Sequence, residues 1–400
     1  MTSLKITPIK ATPPNGRVNE VATLVTGGTG FVGANIVKGL AQAGDDVVCF
    51  DLNGPDPLMN HFVRQVSYKI RFVQGDILDV GTIERLGTDS SIDKIVHAAV
   101  FTVNRIELET LRSRDIVAIN VEGTTNILEL AHSLNVQRFV YVSSGAVYGS
   151  ATPGDQTLNE EAAPSPLNLY GITKYASELL TARYGELHGI STASVRLSTP
   201  YGPMERVTSH RAVMSAFYQW TRQVVRGRSI EVGGLDQGRD FTYITDIADG
   251  IREILHAPYL PHGLYNLTAG GWVTYREILE KLGQLAPNTQ VVESSDPETE
   301  ASAVGQSRGP LSGHRLFQDL RWAPKYGLEA GRPIISNGGG IQAFLTESVS
   351  FIEPPMSPLS TTTSSTLGRQ TAPISHKRLR PQLLSLGFNS TKRHHSTRGT

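Results

Sequence analysis

Short runs of β-branched and apolar residues recur along the first half of the chain, each followed by a stretch with helical spacing. The runs cover 21–26, 46–51, 70–74, 94–97, 138–142 and 192–197. In several of them apolar residues occupy consecutive positions, as in Val47-Val48-Cys49-Phe50. A strand with one wetted face alternates apolar and polar residues. These runs do not, so they read as parallel strands covered on both faces. Between them Val32, Ile36, Val37 and Leu40, and later Ile116, Ile119, Gly123, Ile127, Leu130 and Leu134, recur at helical intervals. Six strands alternating with helices predict an open, doubly wound α/β sheet.

After Leu197 the pattern loosens. A helix is expected over 211–226, a short strand over 229–232 and a helix over 246–256, followed by loops rich in Pro and Gly. This predicts a larger domain, 21–197, with a returning segment near 240–256, and a smaller substrate-binding lobe, 198–332. Trp220 and Trp272 are expected in the core of that lobe. Residues 1–20, with Pro8, Pro13, Pro14 and Gly16, read as a disordered leader. Residues 333–400 contain Gly338-Gly339-Gly340 and Thr361-Thr362-Thr363-Ser364-Ser365-Thr366, and read as a low-complexity, disordered tail.

Charge changes the picture at the tail alone. The 400 residues carry 37 Lys+Arg and 37 Asp+Glu. Yet Arg369, Lys377, Arg378, Arg380, Lys392, Arg393 and Arg398 all follow the last acidic residue, Glu353. A basic tail therefore offsets an acidic body. It reads as a solvated extension, with a nuclear or surface-binding signal as the alternative. No nucleic-acid partner is expected. The single cysteine, Cys49, forbids an internal disulfide and reads as a small buried hydrophobe. No Cys/His cluster has zinc-ligand spacing, so no metal is expected. No secretory leader and no apolar run of about 18 residues is visible, which predicts a cytoplasmic protein without a membrane span.

The first strand runs into Thr26-Gly27-Gly28-Thr29-Gly30-Phe31-Val32-Gly33, which opens the first helix. Glycines there permit a tight turn and a close approach of a pyrophosphate to helix N-terminal N–H groups. With this loop at the strand-to-helix junction, the sheet is expected to be of the Rossmann type and to bind a dinucleotide. The second strand ends at Asp51, placed to accept from the adenosine ribose or, alternatively, to cap a turn. No cation follows it, which favours NAD over NADP. The third strand leads into Asp76-Ile77, either an adenine contact or a turn.

The fifth strand ends in Ser143-Ser144, and Tyr170 and Lys174 follow on one helical face. An ammonium beside a phenol favours the phenolate, so Tyr170 can act as a base, with Ser144 holding the same substrate oxygen. His97, ending a buried strand, reads as a packed residue. Tyr148 reads as a loop-packing aromatic within reach of substrate.

These residues together resemble the extended short-chain dehydrogenase/reductase superfamily, and within it the NAD-dependent sugar epimerase/dehydratase family, over residues 21 to about 330. The resemblance implies that Ala98 and Ala99 line the cofactor, that Asn120 supports the active-site backbone, and that Pro200 lies by the nicotinamide. It implies that Phe31 and Val32 belong to the cofactor loop, that Arg239 contacts a nucleotide-sugar diphosphate, and that the chain forms a homodimer through helices near 108–134 and 169–187. Two positions depart from the pattern. Gly145-Ala146 stand where 4,6-dehydratases carry an Asp-Glu pair, so dehydration is disfavoured. Thr199 stands where epimerases place an asparagine. The expected activity is epimerisation of a nucleotide sugar, in the manner of UDP-glucose 4-epimerases. The alternatives are a dehydrogenase of a sugar, sugar acid or other alcohol, and a non-catalytic NAD-binding regulator.

Overall fold

The computed structural model describes residues 21–102, 106–150, 156–208, 210–211, 214–294 and 309–326. The expected leader and basic tail lie outside the described residues. The chain begins β1 (Ala22–Thr26), α1 (Phe31–Ala43), β2 (Asp46–Asp51), α2 (Pro57–Val63), β3 (Ile70–Gln74), α3 (Val80–Thr88) and β4 (Ile92–His97). It continues through α4 (Ile106–Val117), α5 (Gly123–Ser133), β5 (Arg138–Ser144), α6 (Leu169–His188) and β6 (Ser191–Leu197).

Then come β7 (Thr199–Tyr201), α7 (Ala216–Val225), β8 (Ile230–Val232), β9 (Gly238–Arg239), β10 (Phe241–Tyr243) and α8 (Ile244–His256). They are followed by β11 (Leu264–Leu267), β12 (Val273–Thr274), α9 (Tyr275–Leu285), β13 (Val291–Glu293) and α10 (His314–Leu320). None of these helices is long and apolar enough to cross a membrane.

The main sheet has seven parallel strands in the order β11-β6-β5-β4-β1-β2-β3. The consecutive apolar residues of its strands point alternately into two cores. Val25, Val47, Cys49, Val96 and Val140 face α1, α2 and α8. Leu24, Val48, Phe50, Ile95 and Phe139 face α3, α5 and the outer part of α6. Cys49 is 1% exposed, as expected of a small hydrophobe in such a strand.

The structure extends the sequence expectation in two places. A seventh strand, β11, pairs with β6 in register Leu264↔Ser194 through Leu267↔Leu197. Its sequence, Leu-Tyr-Asn-Leu, is too short and too mixed to stand out from the Pro/Gly-rich loops around it. The returning segment is also longer than 240–256: α8 packs along α1, and Leu316 of α10 and Trp322 join the same core.

The smaller lobe has its own core, built on Phe217, Trp220, Phe241, Tyr243, Tyr275 and Ile278. Trp220 is 1% exposed, as expected. Trp272 is only half-buried, against Gly238, because it sits in the turn before β12 and not on a packed helix face.

Candidate active site

The cofactor loop is shaped by contacts between strand ends. Gly27 has φ +65°, and a Cβ there would lie 2.7 Å from the backbone of Ala99, so only glycine lets β1 turn against the end of β4. A Cβ on Gly33 would fall 2.0 Å from the Gly27 carbonyl, so the first turn of α1 closes only without one. Gly30 caps α1 without a side-chain hydrogen bond, and no acidic residue lies in the first turn. The helix N–H groups and positive dipole end are thereby available to an anion.

Asp51 ends β2 with one carboxylate oxygen accepting from Thr29 N (3.1 Å) and the other from Asn53 N (3.0 Å). It therefore caps the turn and braces the glycine loop while lining the cavity. Asp76 accepts from Leu78 N (2.9 Å), the turn role, and also lines the cavity.

That cavity, about 640 Å³, runs along the carboxyl ends of the central strands, where open α/β sheets bind ligands. It is lined by Gly27, Gly30, Phe31, Val32, Gly33, Asp51, Asp76, Ile77, Ala98, Ala99, Ser144, Tyr170, Lys174 and Pro200. An elongated cleft with an uncapped helix N-terminus between a ribose-height carboxylate and a lysine-tyrosine pair fits a dinucleotide.

At the other end of the cleft, Asn168 caps α6 by accepting from Gly171 N (2.8 Å), which fixes where Tyr170 and Lys174 begin the helix. Lys174 is 2% exposed and donates to the Val142 carbonyl of β5 (2.6 Å). Its Nζ lies 4.8 Å from the centre of the Tyr141 ring and 6.0 Å from that of Tyr170. Desolvation pushes the ammonium down to about 7, although Glu178, one turn along α6, pulls the other way.

Glu178 is itself buried, gripped by Arg196 of β6 (2.7 Å) and by Ser143 Oγ (2.5 Å). Ser144 Oγ accepts from Ala146 N (3.1 Å), so the short turn Gly145–Tyr148 aims that hydroxyl into the cavity. His97 is fully buried between Thr26 and Thr124 and held down to about 3 by desolvation and by Lys174. It is a neutral packing residue.

Four expected site residues are not brought into the cavity. Asn120, in a single π-turn (Ala118–Glu122), binds Phe101 N through its oxygen (2.7 Å). Its amide reaches Phe101 O (3.2 Å) and Thr173 Oγ1 (3.0 Å). It positions α6 against the strand-four loop.

Tyr148 is fully buried, its hydroxyl shared between Asn266 Oδ1 (2.8 Å) and Asn159 O (3.0 Å), as the loop-packing reading expects. Thr199 donates its N–H to Asp240 O (2.9 Å) at the start of β7. Arg239 lies on β9, with Nε donating to Tyr275 Oη (3.3 Å).

The sequence reading missed a segment after Pro203: Arg206, Val207, Thr208, His210 and Arg211 also line the cavity. Arg206 and Arg211 were the available signal, but Arg211 falls at the start of the helix expected over 211–226, whereas α7 begins at Ala216 behind its Ser215 cap.

The chain is 33% identical over 250 residues to UDP-glucuronate 4-epimerase 1 of Arabidopsis thaliana. That alignment covers 58% of this chain and 54% of the relative, so the chain spans about half the length of that curated protein. It is 27% identical to dTDP-D-glucose 4,6-dehydratase of Mus musculus, covering 80% of this chain and 88% of the relative. In fold it is similar to the UDP-glucuronic acid 4-epimerase of Bacillus cereus solved with UDP-glucuronic acid and NAD. The TM-score is 0.69 and the identity 23%, over 83% of this chain and all of that one. Residues 23–267, from β1 to the end of β11, match the NAD dependent epimerase/dehydratase family, and the chain belongs to that family.

Proposed function

We propose that this chain epimerises a nucleotide sugar through a transient keto intermediate. The observation that carries this reading is the meeting of Ser144, Tyr170 and buried Lys174 at one end of the dinucleotide cleft. When bound, the nicotinamide supplies the acceptor and donor for the hydride of the carbinol carbon.

The chain's own residues handle the proton and the geometry. Ser144 Oγ, held by the Ala146 N–H, accepts or donates a hydrogen bond to the sugar oxygen as it alternates between alcohol and carbonyl. Tyr170 takes the alcohol proton and gives it back. Lys174, whose ammonium is pushed down to about 7 by burial, lies 6.0 Å from the Tyr170 ring and can stabilise the phenolate. The turn Gly145–Tyr148 offers no second acid and base after Ser144, which separates this site from one built to eliminate water.

The relatives named for UDP-glucuronate support a sugar nucleotide as substrate. Arg239, one residue before the Asp240 whose carbonyl holds Thr199, is proposed with Thr199 to meet its diphosphate. Exposed apolar residues on α4 and α6 (Leu111, Ile172, Leu179) support a homodimer across those helices. A cytoplasmic location accords with the lone buried thiol.

The test is to incubate the purified chain with UDP-sugars and follow both sugar identity and reduced nicotinamide. Interconversion without net NADH is expected; NADH accumulating with added NAD would replace the epimerase reading with a dehydrogenase.

A further inference from the structure

Behind Ser144, Tyr170 and Lys174 lies a buried carboxylate that the proposed chemistry does not use. Lys174 and Glu178 stand four residues apart on α6 and share a helical face. Both reach the end of β5, at consecutive residues. Lys174 donates to the Val142 carbonyl (2.6 Å), and Glu178 Oε1 accepts from Ser143 Oγ (2.5 Å). Side chains alternate along a strand, so Ser143 Oγ turns to Glu178 while Ser144, the next residue, faces the cavity. The strand end that presents Ser144 is thereby pinned to the helix that carries Tyr170 and Lys174.

Arg196 of β6 holds Glu178 from the other side. Its Nε donates to Oε1 (2.9 Å) and its Nη2 to Oε2 (2.7 Å), a side-on, two-bond grip. Ser143, Lys174, Glu178 and Arg196 are all buried. A buried ammonium is costly without a counter-charge. Across from Lys174 stand the Tyr170 ring on its own helix, the Tyr141 ring on β5 and neutral His97 on β4. Glu178 supplies negative charge to it, and Arg196 takes up part of that charge from behind.

We propose that Glu178 is a positioning residue for the epimerisation. Through Ser143 it sets the height of Ser144 against Tyr170, and with Arg196 it balances the charge on Lys174. This rests on the reading that Ser144, Tyr170 and Lys174 turn the sugar over. It gives work to a carboxylate that does not line the cavity. A counter-ion set behind the ammonium favours the charged form without taking a place beside the sugar oxygen.

The experiment uses the full chain grown with isotope-labelled lysine. The Lys174 Cε resonance, assigned by its loss in Lys174→Met, is titrated by NMR, a readout that needs no substrate. Glu178→Gln should move the Lys174 midpoint down by about one pH unit, the scale of one charge a helical turn away. Arg196→Met should move it up, because Glu178 is then left with Lys174 as its cation. The double variant leaves no buried charge alone and so folds where a single one fails. It should still move the midpoint down, by less than Glu178→Gln, because Glu178 shares the helical face of Lys174 and Arg196 stands behind it. A double variant at the native midpoint, or single variants that shift the same way, overturns the counter-ion role.

Ser143→Ala keeps the ion pair and tests the other half by initial rates on the UDP-sugar that the native chain turns over. Its kcat should fall about tenfold with little change in KM, the mark of a misplaced reacting group. A native kcat overturns the positioning of Ser144. Native protein that turns over no UDP-sugar, yet gives the expected NMR shifts, sinks the epimerase reading and supports the counter-ion.

Discussion

Tyr170 and Lys174 show what a single side chain can reveal before any fold is known. Their spacing put them on one helical face, and with the Ser143-Ser144 strand end and the glycine loop it pointed to a candidate base and its cation. Tyr170→Phe keeps the ring and removes the acid–base hydroxyl. Turnover should fall by about 10²- to 10⁴-fold with little change in Tm, measured by initial rates and thermal melting.

Burial of Lys174 was not legible from spacing, and it has a pH signature. The ammonium is held at about 7, down from a lysine's ordinary 10.5. Between those values the unfolded chain binds the extra proton, so native stability rises with pH across that window and the penalty is complete below it. Lys174→Met abolishes this slope. Its Tm relative to the native chain should improve as pH falls from 10.5 toward 7; a difference that does not move with pH would count against the buried charge.

Residues whose work depends on distant partners were the least legible. The hydroxyl of Tyr148 is held by Asn159 and Asn266, 11 and 118 positions away, which no local spacing announces. Asn120 binds the backbone of Phe101, 19 positions back.

At the scale of elements, the unbroken apolar runs marked six strands because each strand divides its side chains between two cores. β11 escaped because four residues carry no period. What joins strand to helix at the site is the Glu178–Arg196 pair, with Ser143 on the same carboxylate. It ties α6 to β5 and β6, so Lys174 is held one turn away at a fixed height above the sheet. Removing one partner leaves a buried charge alone. Glu178→Gln and Arg196→Met should each lower stability by about 3–5 kcal/mol in denaturant titration. The double variant should lose much less than their sum, because it leaves no orphan. Strict additivity would mean the two side chains do not act as a pair.

At the scale of the molecule, the described body and the basic tail differ in charge, and the candidate residues Ser144, Tyr170 and Lys174 lie in the body. On the body's surface Leu111 (77% exposed) and Leu179 (55%) stand on α4 and α6, which pack together. If these faces meet a second copy, Leu179→Glu should convert a dimer to a monomer in sedimentation, with the fold intact by circular dichroism. A monomeric native chain would sink the homodimer proposal.

The lobe, for its part, is not a continuous stretch. The chain leaves the main sheet after β6, touches its core at Met204 and rejoins it at Ile244, then leaves again after β11 and returns at Leu316. The smaller lobe is therefore a pair of long excursions hung from neighbouring strands. Loops so placed can lengthen, shorten and trade residues while the sheet that holds the nicotinamide keeps its register. Descent with modification can thus retool what such a chain recognises without rebuilding the chemistry it performs.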